Sequence, residues 1–163
     1  TGPYTIRKRL GHVNAKRIAA MDVDKFVAVC SEKPAIHRFP RSMATRIHGL
    51  CVALAEDYDG KGENVWRDVE NAKELMARLR KLPGYGQEKA EIFIALLGKR
   101  FGVRPKDWKK YAGVFSDARP RSVADIYSAA TLLKVRGFKQ MQRARDTDKQ
   151  DRPLVRKKSR VKK

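Results

Sequence analysis

The chain is 163 residues long, about one domain's worth, and a chain of that length buries roughly two-thirds of the surface its unfolded form exposes. Lys and Arg number 38 against 18 Asp and Glu, so the net charge is +20 and polyanions are the expected partners. At 42% hydrophobic the chain is too apolar to be disordered throughout, and its longest apolar run, Ile92 to Leu97, is too short for a membrane-spanning helix.

Helical spacing dominates the chain. Short helical segments are expected at Ala15 to Ala20 and Asp22 to Cys30. Met43, Ile47, Leu50, Cys51 and Leu54 then fall at i, i+4, i+7, i+8 and i+11, one stripe of a helix for which Ser42 is the expected N-cap. The run Asp57-Tyr58-Asp59-Gly60-Lys61-Gly62 ends that helix, and after a very short break Ala72, Leu75, Met76 and Leu79 repeat the pattern. Ala90, Phe93, Ile94 and Leu97 form the next stripe, with Ile92, Ala95 and Leu96 on its sides, so this helix should be the most buried, ending at Gly98 and Gly102. Further helices are expected around Asp107 to Tyr111 and Ser128 to Arg145. No segment alternates like a strand, and the fold class is therefore all-α.

Charge is placed unevenly. Residues 134 to 163 hold thirteen Lys and Arg against Asp146, Asp148 and Asp151, a net +10 and half the total. From Asp146 onward the apolar side chains are Leu154, Val155 and Val161 beside Pro153, too few to offset the entropy of ordering. The expected organisation is a helical domain over 1–127, a basic helix over 128–145 and a disordered basic tail over 146–163.

Cys30 and Cys51 are the only cysteines, and neither lies in a CxxC or a Cys/His cluster with metal-ligand spacing. Neither a zinc site nor an iron–sulfur cluster is expected, and no other cofactor is called for. No charged segment followed by an apolar run opens the chain, which points to a reducing cytoplasm and two free, buried thiols. The chain opens at Thr1 rather than Met, which reads as processing or truncation of the true start.

The informative segment is Leu79-Arg80-Lys81-Leu82-Pro83-Gly84-Tyr85-Gly86-Gln87-Glu88-Lys89-Ala90, two amphipathic helices joined by a turn of the form L-P-G-x-G. Pro83 stops the first helix, while Gly84 and Gly86 permit backbone angles and close approach denied to residues with a Cβ. The second helix then presents free N–H groups and its positive dipole end outward. A DNA phosphate suits such a terminus, with Lys81, Arg80 and Lys89 adding charge. The DNA-contacting set is therefore Lys81, Leu82, Pro83, Gly84, Tyr85, Gly86, Gln87 and Lys89, the partner double-stranded DNA read through its backbone phosphates. A tight αα-hairpin whose glycines merely serve a sharp turn is the plainer alternative.

This segment resembles the helix–hairpin–helix DNA glycosylase superfamily, HhH-GPD, of which endonuclease III is typical. The resemblance runs from about Ala15 to Ala112, with Arg41-Ser42-Met43-Ala44-Thr45-Arg46-Ile47 similar to the family's helix before the hairpin helices. Over its whole length the chain looks like small actinobacterial HhH-GPD-type base-excision repair proteins, on phrases such as Gly2-Pro3-Tyr4, Arg9-Leu10-Gly11-His12, Leu96-Leu97-Gly98-Lys99-Arg100-Phe101-Gly102-Val103-Arg104-Pro105 and Pro120-Arg121-Ser122-Val123-Ala124-Asp125-Ile126. The resemblance implies a base pocket between two helical subdomains. It also implies an Asp about twenty residues past the hairpin that stabilises positive charge on the sugar as the base departs.

Asp107 stands at that distance, in the context Arg104-Pro105-Lys106-Asp107-Trp108, which departs from the family's Val-Asp-Thr-like context, and alignment with the family needs one inserted residue. Its plainer role is N-cap of a helix starting at Trp108. Family members with lyase activity use a hairpin lysine, and the matching position here is Glu88. Lys89 is one residue along, turned by about 100° onto another face, so lyase activity is not expected and Lys89 reads as a phosphate contact. The family also begins with an apolar helix that lines the pocket and precedes the Gly-Pro-Tyr region. This chain starts at that region, so the resemblance implies a domain lacking its first helix.

His12, His37 and His48 are dispersed and read as structural or surface residues, and Trp66 and Trp108 read as core aromatics. The leading expectation is a monofunctional DNA glycosylase-like repair protein. A catalytically inactive DNA-binding protein and an RNA- or ribosome-associated basic protein are the alternatives.

Overall fold

The protein is described by a computed structural model, which covers residues 2–154. Among these residues there are eight α-helices, three short 3-10 helices and no β-strand. The chain forms two compact units: the described residues up to Glu70 with Glu74–Gln87, and Asn71–Lys73 with the described residues from Glu88 onward. The division cuts across the 1–127 domain of the sequence reading, because helices on either side of the hairpin turn fall into separately packed groups.

In the first unit, α1 (Gly2–Leu10), α2 (Ala15–Ala19), α3 (Val23–Ser31) and α4 (Pro40–Asp57) share one core. Ile6, Ile18, Phe26, Val27, Cys30, Ala44 and Cys51 are buried in it, with Ile47 and Leu54 of the predicted α4 stripe packed at its margin. Helix α1 was not among the expected elements, since its nine residues bury only Ile6. The caps of α2 and α3 follow from sequence: Asn14 accepts a hydrogen bond from the Arg17 N–H, and Asp22 accepts one from the Lys25 N–H. At the other end of α3, the Arg9 guanidinium donates to the carbonyls of Val29, Glu32 and Pro34 at 2.6, 2.9 and 3.0 Å. A cation there complements the helix dipole.

Two boundaries differ from expectation. Helix α4 starts at Pro40, not after a Ser42 cap, and no side chain caps it. Proline at the first helical position has no N–H to leave orphaned and its φ is already helical, which outweighs the cap preference of Ser42. The break after α4 is also longer than expected. It contains the 3-10 helix Gly62–Val65, whose Val65 is buried, before α5 (Ala72–Lys81) begins. Leu75, Met76 and Leu79 of α5 are buried as their spacing requires.

The second unit is built from α6 (Gln87–Arg100, its first residue lying at the division), α7 (Trp108–Ala112) and α8 (Ala129–Ala144). Buried side chains here include Ala90, Ile94, Ala95, Leu97, Phe115 and Val135. Gly98 does not end α6. It lies within the helix and is buried, and a Cβ built on it would sit 2.5 Å from the Trp108 indole. The helix runs on to Arg100, and Gly102, at φ +70°, makes the left-handed exit. Glycine at 98 thus serves a close approach between α6 and an aromatic ring, a tertiary demand that resembles a stop signal in sequence.

Residues 146–154, which the sequence reading places in a disordered tail, are ordered. Residues 146–154 form a closed loop, with Thr147 and Pro153 in an isolated bridge and the Leu154 N–H donating to the Asp146 carbonyl at 2.7 Å. Apolar burial does not hold it. Arg121, only 2% exposed, donates Nη1 to the Lys149 carbonyl at 2.8 Å and pairs through Nη2 with Asp151 at 2.7 Å and Asp117 at 2.9 Å. The same guanidinium lies over the Phe138 ring at 5.5 Å, and the Gln142 amide also donates to Asp151. A desolvated guanidinium left unpaired would be strongly destabilising, so the loop that supplies its acceptors is recruited. Residues 155–163, the remainder of the predicted tail, lie outside the described residues.

The tight packing at Gly98 is open to direct test. Gly98→Ala should destabilise the protein to urea by about 1–3 kcal/mol through overpacking against Trp108. Gly137→Ala, in α8 with open space around it, should instead stabilise by up to about 1 kcal/mol from helix propensity. Equal responses of the two would contradict the Gly98 contact. The Asp151 carboxyl is held below its ordinary range, first by the Arg121 hydrogen bond and then by Gln142. Its contribution is present above the unfolded carboxylate pKa of about 4 and is lost as pH falls through the lower folded value. Amide protection factors in 146–154 should therefore hold near neutrality and collapse in acid below about pH 4, and protection unchanged at that acidity would refute the latch.

Candidate nucleic-acid interface

The turn between α5 and α6 is built in the first unit up to Gln87. The Leu82 N–H donates to the Leu79 carbonyl and the Tyr85 N–H to the Leu82 carbonyl, each at 3.1 Å. Leu82 is buried and anchors the turn, while exposed Pro83 lies 3.9 Å from where a Cβ on Gly49 of α4 would be. The Arg80 guanidinium donates to Gln87 Oε1 at 3.2 Å, tying the end of α5 to the start of α6. Burial pushes the Tyr85 phenol up, so Tyr85 supports the turn from below while Gly84 and Gly86 face outward.

The two glycines do different work. Gly84 has φ +82°, a left-handed conformation that suits glycine, whereas Gly86 does not have a positive φ. Neither would bring a Cβ within 4 Å of any neighbour, so the space over both is open. The Gly86 N–H donates to no acceptor among the described residues. Lys81 is exposed and makes no ion pair among the described residues, and Lys89 is exposed on the first turn of α6.

Asp107 belongs to the second unit. It precedes α7 with φ 63° and ψ 18°, and its exposed side chain makes no capping hydrogen bond to that helix. The N-cap role open to it in sequence is therefore filled by the backbone position alone, since its left-handed conformation is not the extended one from which a capping side chain reaches the first-turn N–H groups. Glu88 accepts a hydrogen bond from Lys149 Nζ at 2.7 Å, and Gln150 reaches Glu91 at 3.5 Å. The closed loop of 146–154 thus lies on the first turns of α6.

The cysteines are free and buried, and burial pushes both thiols up, away from reactivity. No group of three or more His, Cys, Asp or Glu side chains able to hold a metal ion occurs among the described residues. His48 Nε2 lies 2.9 Å from the Met21 carbonyl, and the ring nitrogens of His12 and His37 accept backbone N–H groups two residues on, all structural roles.

Sequence reasoning did not single out Lys99, Asp125 or Arg121. Lys99 Nζ donates to Asp125 Oδ1 and to the Asp117 carbonyl, each at 2.6 Å, and Asp125 also accepts from the backbone N–H groups of Arg121 and Ser122. The signal available was the Arg121-Ser122-x-x-Asp125 capping box, with Asp125 three residues after the Ser122 cap. Trp108, read as core, is half-buried and lines a cleft of the second unit. No protein-family model, curated protein or solved structure matches the chain.

Proposed function

We propose that the protein binds duplex DNA through its sugar–phosphate backbone at the Leu82–Gln87 turn and acts as a monofunctional DNA glycosylase-like repair protein. The observation that carries the reading is the turn itself: a left-handed Gly84, open space over Gly84 and Gly86, and an unpaired Gly86 N–H. It sits on a chain of net charge +20. Backbone N–H groups reached without a Cβ in the way suit a phosphate oxygen, and a contact of that kind carries no base sequence information.

Asp107 would act electrostatically. Cleavage of an N-glycosidic bond develops oxocarbenium character on the sugar, and a carboxylate close to that carbon lowers the barrier. With Glu88 at the hairpin position of the family's lysine, no amine stands there to form a Schiff base, and the reaction would stop at the abasic site. The exposed setting of Asp107 favours a second reading, in which the DNA grip is kept and the chemistry is absent.

Gly86→Val is the cleanest test of the grip, since it introduces neither a strained φ nor a clash. It should weaken duplex binding about tenfold at fixed salt, the loss of one charge-assisted hydrogen bond, with the circular dichroism spectrum unchanged. Unaltered affinity would remove the turn from the interface. Deleting residues 155–163 takes away six cations and leaves the Arg121–Asp151 latch in place. The slope of log affinity against log salt should flatten, by about 0.9 for every phosphate that is no longer neutralised. Incubation with duplexes bearing uracil, oxidised or alkylated bases separates the two readings. Abasic sites that disappear in Asp107→Asn support the enzyme, and no release from any of them supports the binder.

A further inference from the structure

The second unit contains a cleft of about 480 Å³ that no part of the hairpin reading uses. Its walls include Lys99, Arg104, Trp108, Tyr127 and Lys134, drawn from α6, the loop after it, α7, the segment before α8 and α8 itself. The volume is in the range of small-molecule sites. Two aromatic rings with surplus cations around one cavity are the chemistry that recognises a flat, anionic ligand.

The charge inventory supports this. Two carboxylates, Asp117 and Asp125, also face the cleft, but both are committed. Asp125 is held by Lys99 and two backbone N–H groups, and Asp117 is held by Arg121. The cations left over are Arg104 and Lys134. Arg104 uses only Nε, donated to the Gly98 carbonyl at 2.9 Å, so its two terminal nitrogens make no hydrogen bond among the described residues. Lys134 is exposed and makes no ion pair among them. The Arg104 guanidinium lies 6.0 Å from the Trp108 ring, and that of Arg100 lies 5.6 Å from the Tyr127 ring. Tyr127 is 58% exposed for so large a ring, so part of its surface is open to a stacking partner. Trp108 is braced against Gly98, which holds its indole in place at the cleft.

We propose that this cleft takes one unpaired nucleotide, its base against Trp108 and Tyr127 and its phosphate at Arg104 and Lys134. A base paired and stacked in a duplex does not present a free ring to such a cavity, whereas an unpaired one does. The inference rests on the nucleic-acid reading for the strand as source of the nucleotide. A free mononucleotide carries the same ring and phosphate.

The test uses the full chain with Trp66→Phe, so that Trp108 is the only tryptophan reporting. Its fluorescence is titrated with a short single-stranded oligodeoxyadenylate and, separately, with dAMP. Quenching by the oligonucleotide alone identifies a strand as the source, and quenching by both admits the mononucleotide; either supports the site. Tyr127→Ala, and separately Arg104→Ala with Lys134→Ala, should each weaken the binding about tenfold, as expected for loss of one stacked base or of the phosphate contacts. Anisotropy of a labelled oligonucleotide on the otherwise wild-type chain checks the same variants without Trp66→Phe. No quenching by either probe overturns the site, as does quenching that Tyr127→Ala and the Arg104/Lys134 pair leave unchanged. Duplex binding measured alongside keeps the two claims apart: a cleft that fails while Gly86→Val still weakens duplex binding leaves the hairpin reading standing.

Discussion

The second unit depends on two cations held out of water. Arg121 and Lys99 lie inside, and each has its charge met by carboxylates and carbonyls: Asp117, Asp151 and the Lys149 carbonyl for the guanidinium, Asp125 and the Asp117 carbonyl for the ammonium. Burying a charge is tolerable only with such complete pairing. The same pairing orders residues 146–154 and sets Lys149 against Glu88 on the first turn of α6.

The hairpin turn is restrained at three points. Buried Leu82 anchors it, Pro83 approaches Gly49 of α4, and the Arg80–Gln87 hydrogen bond closes its mouth. With those three restraints the open face over Gly84 and Gly86 is held in place. Trp108 is braced comparably by Gly98 in the other unit. In both places a glycine leaves room: at the turn the space over it is open, in α6 it is filled by an aromatic ring.

Amphipathic spacing made α4, α5 and α6 legible because a stripe at i, i+3, i+4 and i+7 reports the face a helix must bury, whatever it packs against. The caps Asn14, Asp22 and Ser128, each a side chain reaching a backbone N–H three residues on, went unnamed, while the expected caps Ser42 and Asp107 do not cap their helices. The turn Leu82-Pro83-Gly84-Tyr85-Gly86 could be located from its residues alone. Its left-handed position could not be assigned to Gly84 rather than Gly86, since both tolerate it and only the surrounding hydrogen bonds choose.

By itself, then, the sequence determined an all-helical chain, a surplus of positive charge and the position of a glycine turn between two amphipathic helices. These are properties of composition and of neighbours a few residues apart. Tertiary structure alone decided that Gly98 continues α6 beneath an indole, that Asp146–Leu154 is ordered by a buried guanidinium, and that Lys99, Arg104, Trp108, Tyr127 and Lys134 surround one cleft. Each of those depends on partners distant in the chain, and no local pattern records which distant side chain will arrive.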